Sequence, residues 1–186
     1  MEFKEIEEKH KVLIDIAKCQ MNTILDREHD IHHMNDVVYY MKRILESVDV
    51  EVNTEVCIIG AYWHDVGRTQ VSNGHEHLSA KLLEEEMKKL NYDNNFIYMC
   101  SKAIEFHKWN MIPQTLEGWM VKDADKLAWL GSGRWSSCIE NKQRLDELLT
   151  LLPDLRNKIL HFECSKKIYD IEIIKILKLL YEKIYN

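Results

Sequence analysis

The stretch TEVCIIGAYWHDVGR, residues 54–68, decides how the rest of the chain is read. Thr54 to Trp63 is almost wholly apolar, which predicts a helix buried on every side. Gly67 is placed to end it. His64 and Asp65 stand where more core is expected, and burying either group without a partner is costly. On a helix the two side chains point about 100° apart. An imidazole and a carboxylate differ in reach, so both can still meet one ion seated beside the helix.

On either side of this stretch the spacing is helical. Residues 3–25 carry Ile6, Leu13, Ile16, Ala17, Ile24 and Leu25 among charges, and Val37, Val38, Met41, Ile44 and Leu45 repeat the pattern. Asn73 and Gly74 make a turn. Further helices are expected over Leu78–Leu90, Asn95–Trp109, Thr115–Leu130 and Ser165–Tyr185, with another over residues 139–152 that ends at Pro153. In the last helix Ile168, Ile171, Ile174, Leu177, Leu180 and Ile184 read as one stripe, which suits core packing or a homodimer seam. The chain has 2 Pro and 6 Gly in 186 residues and no run of period-two alternation. The expected fold is an all-α bundle of about eight helices. We read residues 1–186 as one domain, with a motif-bearing core at about 26–131 and a helical extension over 137–186.

The apolar fraction of 46% is enough for a sizeable core. A net charge of −6 argues against a basic surface for nucleic acid polymers, but not against a small phosphorylated substrate, because a metal can supply positive charge locally. Five cysteines, widely spaced and odd in number, suit free thiols in a reducing cytosol. The charged start, MEFKEIEEKHK, lacks the apolar run of a signal peptide, and no stretch is long and apolar enough for a membrane span. The expectation is a soluble cytoplasmic protein.

Three segments place acids or imidazoles inside apolar helical patterns: HDIHHMNDV (29–37), WHDVGR (63–68) and VKDADKLAWLG (121–131). Imidazole with carboxylate is a ligand set for Zn²⁺, Mn²⁺, Fe or Ni²⁺. No GxxxxGK[ST], GxGxxG or GxSxG occurs, so nucleotide-fold and serine-hydrolase readings lack support. His29, His32 and His77 read as caps or outlying groups, and His10 and His161 as surface residues. Asp123 reads as orienting a ligand or a basic side chain.

These segments resemble the HD-domain metal-dependent phosphohydrolase superfamily, an all-α fold with the pattern H…HD…D. His33 matches the first histidine, His64 and Asp65 the central pair, and Asp125 of DADKL the last aspartate. The resemblance covers about residues 26–131. It implies a divalent metal (Fe, Mn, Ni, Co, Zn or Mg) held by His33, His64, Asp65 and Asp125. In the phosphodiesterase-like branch two further histidines can hold a second metal. HEHLSA (75–80) and IEFH (104–107) supply His75 and His107 for that role, or for substrate contact. The chain departs from the family at Lys108, where a second histidine is common, and at Asp36, where a basic residue is common.

The implied activity is hydrolysis of a phosphoester of a small phosphorylated metabolite or nucleotide by metal-activated water, with Asp65 at the centre. Arg68 and Lys126 are the expected phosphate contacts, with Arg134 a third. Trp63, Trp109, Trp129 and Trp135 fall near these motifs and suit either core filling or stacking on a base. The resemblance also leaves room for a di-iron oxygenase, and for a non-catalytic, metal-stabilised nucleotide-binding module.

Overall fold

The computed structural model describes residues 2–26, 28–131 and 142–185. The described chain forms α1 (Phe3–Lys9), α2 (Lys11–Met21), α3 (Ile31–Leu45), α4 (Thr54–Trp63), a 3₁₀ turn (Val66–Thr69), α5 (His75–Lys89), α6 (Asn94–Ile104) and α7 (Leu116–Ala128). It continues with α8 (Lys142–Asp154), a π-helical turn (Leu155–Ile159) and α9 (Glu163–Tyr185). No strand occurs among the described residues, so the all-α expectation stands. Arg134 and Trp135, and most of the stretch that should open α8, lie outside the described residues. No helix among the described residues is long and apolar enough to cross a membrane.

Helix starts are fixed by short polar side chains that accept the first unpaired backbone N–H groups. Asp30 caps α3 by accepting from the N–H of His32 and His33, Asn53 caps α4, Asp93 caps α6 and Thr115 caps α7. The Asp30 cap sets the phase in which His33 turns inward while His32 stays exposed.

Helix α4 is the axis of the fold. Every residue from Val56 to Trp63 is buried, and α2, α3, α6 and α7 pack around it. Gly60 makes this possible. A Cβ there would lie 2.7 Å from Val121 Cγ2 on α7, so a side chain at this position would force Val121 or the helices to shift. One helical turn beyond this contact come His64 and Asp125. Gly67 has a second close approach. A Cβ there would lie 2.3 Å from the carbonyl oxygen of His75, and its N–H donates to Ser79 Oγ at 2.8 Å. Its role is therefore to seat the 3₁₀ turn against the start of α5; α4 has already ended at Trp63.

Five sequence expectations are corrected. Residues 3–21 form two helices, broken at His10 (φ −105°, ψ 19°), and residues 22–25 are not helical. His10 is not a surface residue but is 2% exposed, with Nδ1 2.8 Å from Tyr92 Oη and Nε2 2.9 Å from Glu55. That buried pairing is what bends the chain there. The helix expected to run to Trp109 ends at Ile104, and the chain then turns so that His107 points inward. Pro153 lies inside α8 rather than after it. A proline in the last turn removes one hydrogen bond, and the chain widens into the π turn before it stops. The α9 stripe divides: Ile168 and Leu180 are buried, as is Ile176 outside the stripe, whereas Ile171, Ile174 and Leu177 are more than half exposed. A repeat of every third residue drifts about 60° per step round a helix, so it cannot stay on one face.

Gly60→Ala tests the α4–α7 contact. Alanine is the better helix former by about 1 kcal/mol, but the overpacking against Val121 outweighs this. A net loss of about 1–2 kcal/mol in urea unfolding is expected, and a gain would contradict the close approach.

Candidate metal centre

His64 and Asp65 lie at the exit of α4. His64 still has helical dihedrals, whereas Asp65 has left them (φ −109°, ψ 3°) as the backbone tightens into the 3₁₀ turn. The pair is thus not displayed on a regular helix, as its sequence suggested. The break carries the Asp65 carboxylate forward from the His64 ring, between two groups of histidines.

On one side, His33 from α3, His64 and Asp125 from α7 offer ligand atoms that all lie within 4.8 Å of one another, and all three residues are buried. His33 Nε2 is 3.3 Å from Asp125 Oδ1 and 3.4 Å from His64 Nε2. On the other side, Asp65, His75 and His107 form a second buried group within the same span. Asp65 belongs to both neighbourhoods. Its Oδ1 is 3.0 Å from His75 Nε2 and 3.4 Å from His107 Nε2, and its Oδ2 is 3.6 Å from His64 Nε2 and 3.8 Å from His33 Nε2.

The hydrogen bonds at the far side of each ring say what these atoms can be. His64 Nδ1 is 3.0 Å from the carbonyl oxygen of Ala61, His75 Nδ1 is 2.9 Å from that of Ser72, and His107 Nδ1 is 2.7 Å from that of Ile104. A carbonyl only accepts, so each Nδ1 carries a proton, and in its neutral form each ring presents a bare Nε2 lone pair. Two such lone pairs face each other at 3.3 Å in His75 and His107. The Asp65 Oδ1 beside them is buried and has no hydrogen-bond partner. Converging acceptors without a donor repel one another, and leaving them so is costly. A divalent cation resolves the conflict, and the N/O donor set fits one.

The electrostatics agree. Burial lowers the His64 imidazole to about 3, against the pull of Asp65 and Asp125, so the ring is neutral at ordinary pH. Burial pushes the Asp65 carboxyl up, but the groups around it, among which Arg68 is the fixed cation, hold it well below the usual range. Asp125 is held down in the same way against its own burial, by Lys126 and then His33 and His64. Neutral imidazoles and ionised carboxylates are the forms that bind metal.

The remaining expected residues divide. Arg68 Nε sits 2.9 Å from Asp65 Oδ2 at 22% side-chain exposure, and Lys126 pairs with Asp125 while almost fully buried. Both basic groups therefore rest on candidate ligands. His29 lies 2.7 Å from Asp26 with its ring edge-on to His33, and His77 is exposed near Glu105. His161 is exposed and stacks on Trp119. Trp63 is core, donating from Nε1 to the Leu13 carbonyl, whereas Trp109 and Trp129 are half-buried with ring centres 5.6 Å apart.

Asp123 does not orient a ligand. Its carboxylate accepts the N–H of His161 and Phe162 at 2.9–3.1 Å and so caps the approach to α9, although burial pushes it up to about 6. Sequence reasoning missed two residues beside the second cluster, Glu76 and the partner role of Lys108. Glu76 is 2% exposed and Lys108 Nζ is 3.5 Å from its Oε2. The signal was present: Glu76, Ala80, Leu83 and Met87 fall at i, i+4, i+7 and i+11, so this glutamate stands on the buried face of α5.

Asp123→Ala and Asp125→Ala separate cap from ligand. Asp123→Ala is expected to cost about 1–2 kcal/mol in urea unfolding and to leave metal content unchanged. Asp125→Ala is expected to remove metal from its cluster. Equal metal loss in both would contradict the assignment.

Ribonuclease Y from two strains of Ureaplasma parvum serovar 3 is 32% identical over 124 residues, covering 65% of this chain. The chain spans only 24% of the length of those relatives. The crystal structure of a predicted HD superfamily hydrolase from an uncultured Thermotogales bacterium superposes with a TM-score of 0.73 over 99% of this chain and 98% of its own, at 19% identity, and shares the fold. The family model for the HD domain matches residues 30–130, the span that carries His33, His64, Asp65, His75, His107 and Asp125, and the chain belongs to the HD domain family.

Proposed function

We propose that the protein is a metal-dependent phosphohydrolase acting on a small phosphorylated molecule, with two cation sites that share Asp65. The observation that supports this most is the pair of buried His/Asp clusters meeting at one carboxylate. His33, His64 and Asp125 would hold one cation, and His75 and His107 the other, with Asp65 between them. Bound divalent cations supply Lewis acidity toward phosphoryl oxygens and an acidified water.

The protein's own groups do the rest. The Nδ1–H bonds to backbone carbonyls fix the rings of His64, His75 and His107 with Nε2 inward, so these three need no tautomer change when substrate binds. Arg68 pairs with Asp65 and remains partly exposed, which suits a guanidinium that turns to meet a phosphoryl oxygen. Lys126, buried against Asp125, offsets the carboxylate charge and would be the second group to meet a phosphoryl oxygen.

Ribonuclease Y, to judge by its name, acts on RNA, and its matched part is a minor share of that protein. A net charge of −6 disfavours a polyanion here, and a nucleotide or a phosphorylated metabolite fits better.

The test is elemental analysis of untagged protein, followed by a panel of phosphomonoesters, phosphodiesters, nucleotides and RNA with added Mn²⁺, Ni²⁺, Co²⁺ or Mg²⁺. About two equivalents of metal per chain and turnover of a small ester are expected. Metal-loaded protein inert across the panel would contradict the function. His64→Ala is expected to lower turnover by at least about a hundredfold. Unchanged turnover would remove the site from the chemistry.

A further inference from the structure

Each histidine of the second cluster is followed by a residue of opposite charge: Glu76 after His75, and Lys108 after His107. The two charges meet. Lys108 Nζ lies 3.5 Å from Glu76 Oε2, and His75 Nδ1 lies 3.5 Å from the same oxygen. Glu76 is 2% exposed, and its Oε2 accepts no hydrogen bond. Lys108 is about one-third exposed.

A fixed ammonium next to a metal ligand opposes a dication, and the repulsion is strong where water is scarce. A buried carboxylate does the reverse. We propose that Glu76 is the residue that allows the second cluster of this chain to hold a cation in the presence of Lys108, by neutralising the ammonium and adding negative charge behind His75. This rests on the two-cation reading of the site. Glu76 acts through His75 and Lys108, so it is a positioning residue and not a ligand.

The charges fix the direction of each effect. Removing the Glu76 charge alone leaves Lys108 unpaired beside the cluster, and cation affinity falls. Removing both charges takes the repulsion away again, and most of the affinity returns. A purely structural role for Glu76 predicts no such return, because the double variant loses the same packing.

The experiment is calorimetric titration of Mn²⁺ into metal-free full-length protein, with the bound equivalents checked by elemental analysis. Wild type, Glu76→Gln, Lys108→Met and the double variant are compared, with unfolding midpoints as a control for folding. Glutamine matches glutamate in shape, and Lys108 is exposed enough that methionine is tolerated. In Glu76→Gln the weaker of two Mn²⁺ sites is expected to lose about tenfold or more in affinity, with the tighter site unchanged. The double variant is expected to recover to within about threefold of wild type. Unchanged affinity in Glu76→Gln, or no recovery in the double variant, overturns the inference. Wild type that binds one equivalent overturns it as well, while leaving hydrolysis at the first cluster intact. Wild type that binds two equivalents but turns over no ester contradicts the proposed function and leaves this inference standing.

Discussion

The candidate site is organised around one buried carboxylate, Asp65, which stands between two groups of histidines. Asp65 is sealed from water, and its Oδ1 faces the Nε2 atoms of His75 and His107, whose protons are committed to backbone carbonyls on the other side of each ring. Such a group does not stabilise a fold by itself. It is tolerated because the surrounding helices are held by other means: the fully buried α4, the close approach at Gly60 and the side-chain caps on α3, α4, α6 and α7. The fold is the scaffold that keeps converging lone pairs from escaping, and a cation is the partner their chemistry calls for.

Glycine at two positions converts that scaffold into a site. Gly60 sets the distance between α4 and α7, and with it the separation of His64 from Asp125 one turn later. Gly67 seats the 3₁₀ turn on the first turn of α5, and with it brings His75 to Asp65. Neither glycine has a positive φ. Both are required by proximity rather than by turn geometry, and both act on ligand positions through the backbone.

Much of this was legible in the sequence. His64 and Asp65 stood out because they interrupt an apolar helical pattern, and a polar residue on a buried face calls for a partner. Choosing His33 among three histidines and Asp125 over Asp123 needed the family resemblance, as did His75 and His107, since no segment says alone which way its side chain points. The position of Asp65 between two clusters was not readable, because it follows from the change from α to 3₁₀ dihedrals at that residue. Nor was the bend at His10, whose partners Glu55 and Tyr92 are far away in the chain. Asp123 and Asp125 look alike in DADKL, yet one faces the segment before α9 and the other faces the histidines. Glu76 was readable from its place on the apolar face of α5, and was hidden only by the two histidines that flank it.

In the proposed site two cations share the Asp65 carboxylate. Anomalous diffraction from crystals soaked in Mn²⁺ locates them. Two anomalous peaks per chain are expected, one among His33, His64 and Asp125 and one between His75 and His107, with Asp65 reaching both. A single peak, or two peaks of which Asp65 touches only one, would contradict it.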